Sequence, residues 1–175
     1  MRTLILCLIT AALAAAQDNP LSAFNKRAYG QVKIWLLASA EKMPEANYSY
    51  QPTDAVRRFG QLIGHAADAQ YLFCSAALGE KSPGLNIEKT KTSKADLVAA
   101  LKDAFTYCDK AYDTLTDATA AQTVKFFGQD MPKLSVLNVN IAHSAEHYGN
   151  IVTYLRLKNI VPPSSEQPAP PPAKK

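Results

Sequence analysis

An all-α four-helix bundle is the fold this sequence predicts, on three observations. Four segments carry apolar residues at helical spacing, no segment alternates convincingly as a strand, and short to medium connectors join the four. Over 175 residues the hydrophobic share is 47%, which suits one compact domain with a real core.

The first helix is expected from about Pro20 to Lys42, entered by Asp18-Asn19 with proline in its first turn and stopped by Met43-Pro44. Phe24, Ala28, Val32, Trp35 and Leu36 form its apolar stripe. After the extended connector "PEANYSYQP", Thr53 is read as the cap of a second helix from about Asp54 to Leu78, closed by Gly79. A polar connector, "EKSPGLNIEKTKT", leads to "SKAD" at Ser93–Asp96, a capping box before the third helix. Leu97, Leu101, Ala104, Phe105, Cys108, Tyr112 and Leu115 make its stripe. Residues 117–131 are ambiguous, with "VKFFGQ" either a short turn or an extended piece. Asp130 and Pro132 read as the cap and first turn of a fourth helix running to about Lys158, with Asn159 as its stop.

Both chain ends differ from this body. Residues 1–16 pair one arginine with an apolar run and a small-residue Ala14-Ala15-Ala16 site, the pattern of a secretory signal cleaved after Ala16. The run is shorter than the ~20 residues of a spanning helix, so no stable membrane insertion is expected after cleavage, and the mature protein is expected to be exported. Residues 17–161 form the expected domain. Residues 162–175, ending "EQPAPPPAKK", have the proline density of a disordered or polyproline-like tail. The formal charge of +4 is carried partly by these ends. Setting aside Arg2, Lys174, Lys175 and Glu166 leaves 16 basic and 14 acidic residues, with no basic run to meet nucleic acid. In an oxidising compartment Cys74 and Cys108 allow a single disulfide; two buried thiols are the alternative.

The chemistry-bearing pattern is in the histidines. "NIAHSAEHYGN" (140–150) holds two of the three histidines of the chain, four residues apart. At about 100° per residue, His143, His147, Asn140, Asn150 and Tyr154 lie on one stripe, with Leu137, Val139, Ile151 and Leu155 flanking it on the buried side. Buried polar groups need partners. His65, in "GQLIGHAADAQ", shares its face with Leu62, Ala69 and Leu72 and is expected to point inward as well. An i,i+4 histidine pair and a third imidazole from a facing helix can meet on one ion, and neutral imidazole favours zinc, nickel, iron or copper over magnesium or calcium. Hydrogen-bonded core histidines are the bland alternative.

"FGQLIGHAADAQYLFCSAA" followed by "HSAEHYGNIVTYLRLKNI" resembles the DinB-like family of four-helix bundles, described as damage-inducible or metal-dependent hydrolase-type proteins. The resemblance spans about Phe24 to Ile160. It implies a divalent metal, zinc or nickel foremost, on His65, His143 and His147, and it allows a homodimer. Many members carry Arg-Gly-Gln after the last histidine; here Tyr148-Gly149-Asn150 stands in its place.

Three protein ligands leave a coordination position for chemistry. Asp68 and Glu146 sit at the edge of the site face and read better as solvated or ion-paired carboxylates than as proton carriers. Asn140, Asn150 and Tyr154 are expected to line the pocket. Arg58, two turns before His65 and on its face, is placed to meet an anionic substrate at the bundle's end, with extension to solvent the better expectation. Gly60 and Gly64 are read as packing, Trp35, Phe73 and Phe105 as core, and Cys74 as facing away from the histidines. The leading expectation is an exported metal-dependent hydrolase or transferase for an unidentified small molecule. A non-catalytic metal-binding or stress-response module is the alternative, and a purely structural bundle the third.

Overall fold

The computed structural model describes residues 19–166. The expected signal segment and residues 167–175 of the expected tail therefore lie outside the described residues. Six helices follow in order: α1 (Pro20–Lys42), α2 (Phe59–Leu78), α3 (Ile87–Thr90), α4 (Lys94–Thr114), α5 (Asp117–Ala120) and α6 (Lys133–Leu157). A hairpin of β1 (Thr123–Phe126) and β2 (Gln129–Pro132) precedes α6. The four long helices make the bundle. Both α1 and α2 pack against α4 and α6, so α1 stands diagonal to α2 and α4 diagonal to α6. Leu36, Met43, Phe59, Ile63, Leu97, Leu101, Phe105, Leu137, Ile151 and Leu155 are fully buried between them. No described helix is long and apolar enough to cross a membrane.

Several ends fall where the local chemistry puts them. Ser93 accepts a hydrogen bond from the Asp96 amide at the start of α4, Gly79 closes α2 at φ 74°, and Asn159 follows α6 at φ 58°. The start of α2 differs from expectation. It begins at Phe59 rather than Asp54, and Thr53 lies in exposed turns instead of capping it. The reason is a backbone tether: the amides of Phe59 and Gly60, orphan donors of a helix start, reach the carbonyls of Tyr50 and Tyr48 at 2.8 Å each. At α6, Pro132 is the residue before the helix, and Asp130 belongs to β2 instead of capping.

The stripe of α1 is also turned. Phe24 is exposed and Trp35 half-buried, while Ser22, Asn25, Tyr29, Val32, Leu36, Ser39 and Ala40 face inward. Most polar groups of that row find partners: the Ser22 hydroxyl donates to Asp117 of α5, the Ser39 hydroxyl to the Trp35 carbonyl and the Asn25 side-chain amide N–H to Asn138, while Asn25 Oδ1 has no partner among the described residues. Tyr29 stacks on Tyr112 at 3.8 Å and donates to the Phe105 carbonyl. A search for apolar residues alone misses such a row.

Residues 117–131 resolve into α5 and the hairpin. Its two-residue turn, Phe127-Gly128, has φ of 48° and 77°. Cys74 of α2 and Cys108 of α4 form a disulfide, with Cα atoms 5.2 Å apart. At the other end, residues 163–165 form a 3-10 turn beside α6, where Tyr148 donates to Ser164 at 2.7 Å.

Candidate metal centre

His65 of α2 and His143 and His147 of α6 come together with ligand atoms all within 4.8 Å. The Nε2 atoms converge: His65 to His143 is 3.3 Å and His147 to His143 is 3.1 Å. Imidazoles about 2.0–2.1 Å from one tetrahedral ion would stand roughly 3.3 Å apart. Protons alone do not satisfy this arrangement. His65 Nδ1 lies 2.8 Å from the Glu88 carboxylate, an acceptor, so its proton sits on Nδ1 and its Nε2 presents a lone pair. A single proton at His143 Nε2 then serves one of its two close contacts well, not both. A cation at the centre serves all three nitrogens. The donor set therefore fits one borderline-soft divalent ion.

The histidines lie at the edge of the buried faces rather than along their midlines. On α6 the buried residues are Val136, Leu137, Asn140, Ser144, His147, Tyr148, Ile151, Tyr154 and Leu155. That face is rotated by most of a residue step from the expected stripe. Val139 and Asn150, expected on or beside the stripe, are exposed, and His143 is half-buried. On α2 the same rotation leaves Leu72 at 37% exposure and His65 half-buried. Two helix edges thus meet at a centre that is open on one side.

The one-turn helix α3 supplies what the sequence reading missed. A four-residue helix does not stand alone. Two residues of α2 hold it. Asp68 accepts from the amides of Ile87 (2.9 Å) and Glu88 (3.0 Å), so it anchors α3 and is not a free proton carrier. Gly64 lets the α3 backbone close in: a Cβ there would lie 2.7 Å from Glu88 Cα and 2.9 Å from its nitrogen. Ile87 is buried beneath. So placed, Glu88 takes His65 Nδ1–H on one oxygen and Arg57 Nε–H, at 2.8 Å, on the other. A carboxylate on the far nitrogen of a ligand histidine fixes its tautomer and orientation. Isolated in a polar connector, Ile87 was the available signal for this element. Among the described residues, neither His143 Nδ1 nor His147 Nδ1 has a hydrogen-bond partner.

Other expected site residues divide. Asn140 is fully buried in the bundle centre, donating to Gln70 at 3.0 Å and close to both sulfurs of the disulfide, so it does not line a pocket. Asn150 and Tyr154 line an open cavity of about 790 Å³ with Arg57 and Glu88. Arg58, as expected, is exposed at the start of α2, and Glu146 is exposed too. A second cleft, of about 470 Å³, is lined by His65 and His143 themselves.

The electrostatics favour neutral imidazoles. Burial, then the neighbouring imidazoles, lowers His147 to about 4, and burial and His65 lower His143. Burial alone would raise Glu88, but hydrogen bonds from Arg57 and His65 outweigh it and hold the carboxyl below its ordinary value. The depressed histidines bind fewer protons folded than unfolded, so stability rises with pH between the folded and unfolded values. Chelator-treated protein is therefore expected to lose melting temperature as pH falls from about 6.5 to about 4. His147→Gln should flatten that slope; an unchanged slope in melting curves counts against the depressed histidine.

Comparison with known proteins agrees on the fold. The family model described as the DinB superfamily matches residues 35–151. The uncharacterized protein YjoA of Bacillus subtilis is 27% identical over 124 residues, which cover 67% of this chain and 77% of that protein. A crystal structure of a DinB-like protein from Bacillus cereus superposes with a TM-score of 0.70 at 18% identity, covering 79% of this chain and 93% of that one. The crystal structure of B. subtilis YjoA gives a TM-score of 0.63 at 20% identity, covering 78% and 92%. At these identities the structural likeness speaks for the fold alone.

Proposed function

We propose that this chain, which belongs to the DinB superfamily, holds one divalent ion, zinc or nickel, on His65, His143 and His147 and acts as an exported hydrolase or transferase on a small molecule. The observation that carries this reading is the convergence of three Nε2 atoms, one of them oriented by a carboxylate. Bound there, the ion supplies Lewis acidity to a substrate oxygen or sulfur. Glu88 keeps the His65 proton on Nδ1, and Arg57 keeps Glu88 ionised and in place. The desolvated rings of His143 and His147 stay neutral and available as donors at ordinary pH. A site for catalysis must admit substrate, and the cleft beside His65 and His143 favours catalysis over a closed structural site. Export is supported by the Cys74–Cys108 pair, since disulfides persist in oxidising compartments.

The test begins with untagged protein from the exported fraction. Elemental analysis is expected to find about one zinc or nickel ion per chain. Ester, amide and thiol-adduct substrates are then assayed for turnover that chelation stops and added metal restores. Metal-free protein that takes up neither ion overturns the metal reading. A loaded protein whose turnover is indifferent to chelation overturns the enzymatic one.

A further inference from the structure

The cleft between α2, the α3 connector and the hairpin does more than give solvent a way in. His65 and His143 form part of its wall, while Leu72, Phe73, Leu85 and Phe127 form much of the rest. Its volume, about 470 Å³, is that of a small-molecule pocket. Among the described residues, no lysine or arginine lines it. Its one acidic wall residue, Asp68, already spends both carboxylate oxygens on the amides of α3. An anionic or cationic group in the cleft would therefore find no free counter-charge, whereas an apolar one would be well received.

Phe127 is the most telling wall residue. It occupies the first turn position of the hairpin at φ 48°, a backbone region that asparagine, aspartate or glycine fills at less cost than a bulky aromatic. The residue is also 76% exposed, so burial in the fold does not repay that strain. From Phe127 a file of rings leads inward. Phe126 lies 4.4 Å from it between centroids, Phe73 lies 5.2 Å from Phe126, and His143 lies 5.4 Å from Phe73. Phe126 is buried behind the wall and backs Phe127, while Phe127, Phe73 and His143 face the cleft themselves; a strained aromatic on the same wall as a candidate ligand imidazole is the arrangement of a ligand wall.

We propose that this cleft receives the neutral, apolar body, aromatic by preference, of a ligand whose metal-seeking head is held at the three-histidine centre. The assignment rests on the metal reading above and names its substrate class: uncharged hydrophobic molecules bearing one oxygen or sulfur donor group. Phe127 and Leu85 are then specificity-determining residues that touch the body of the ligand and not its reacting end.

Two hydroxamates with the same metal-binding head separate the terms. Acetohydroxamate has almost no body, and 4-phenylbutanohydroxamate has an aromatic one. Zinc-loaded, untagged protein is titrated with each by calorimetry, alongside Phe127→Ala and Leu85→Asp, whose zinc content and melting temperature are measured first. Both positions are exposed, so both variants are expected to fold and to keep their zinc. The wild type should bind the phenyl probe on the order of tenfold tighter or better, and each variant should lose most of that preference while binding acetohydroxamate unchanged. Zinc bound at wild-type level with equal affinity for the two probes, or a preference that both variants retain, overturns the cleft assignment and leaves the metal centre standing. A dimer that Phe127→Ala dissolves would mean a second chain fills the cleft, and overturns the assignment too. Failure to bind zinc at all overturns both.

Discussion

His143→Ala abolishes stoichiometric binding of zinc or nickel. Its Nε2 stands within 3.3 Å of His65 and 3.1 Å of His147, so it is the ligand that links the two helices. Without it, one imidazole from α2 and one from α6 remain, too few to hold the ion against solvent. Removing only an orienting partner of a ligand costs roughly 10- to 100-fold in affinity, and loss of the ligand itself should exceed that. The effect on the fold should be small by comparison. His143 is half-buried, and its removal relieves a nitrogen contact that protons serve poorly. In wild type, metal at about 100 times its dissociation constant adds about 2.7 kcal/mol of stability, seen as a raised melting temperature that chelation reverses. In the variant that increment vanishes while the metal-free melting temperature stays near wild type. Dialysis with elemental analysis and paired melting curves, with and without chelator, read both quantities. A variant that retains one ion per chain at wild-type affinity rules out His143 as a ligand.

The histidines were readable because two four apart, with a third on another helix, form a pattern independent of detail. Their depth was not readable. Hydropathy assigns a face by its apolar members, and Val139 and Leu72 drew the expected stripes towards surfaces that are in fact exposed. Asn140 was expected inward, but Ser144, Gln70 and Asn25 also belong to the true faces, and polar residues in a core are invisible to a search for apolar ones. The start of α2 was misplaced for a related reason, since carbonyls from Tyr48 and Tyr50 cap it and no side-chain signal marks them. Glu88 was missed because its position depends on a tertiary approach. "GLNIEKTKT" reads as solvated loop until Asp68 and Gly64 are known to hold α3 against α2.

Gly64→Ala should separate that approach from the helix that makes it possible. In an isolated helix the change is favourable by about 0.8–1.0 kcal/mol, because alanine is the better helix former. Here the added methyl would stand 2.7 Å from Glu88 Cα and 2.9 Å from its nitrogen, both backbone atoms that cannot rotate away. Overpacking typically costs 1–3 kcal/mol, so the two terms largely offset and global stability should fall by no more than about 2 kcal/mol. What yields is α3, a single turn fastened by Asp68 and Ile87. Its displacement carries Glu88 off His65 Nδ1, and zinc affinity should drop by about 10- to 100-fold with all three ligands still present. Glu88→Gln should weaken zinc binding in the same direction without the packing cost. Gly60→Ala is the matched control. A methyl at Gly60 would meet a Leu97 side-chain atom at 3.1 Å and the Tyr48 carbonyl at 3.2 Å, contacts away from the centre that small shifts accommodate. That variant should lose some stability and no zinc affinity. Competition titrations on the three variants decide the matter: a Gly64→Ala protein that binds zinc as tightly as wild type would mean that α3 does not position the ligand on α2.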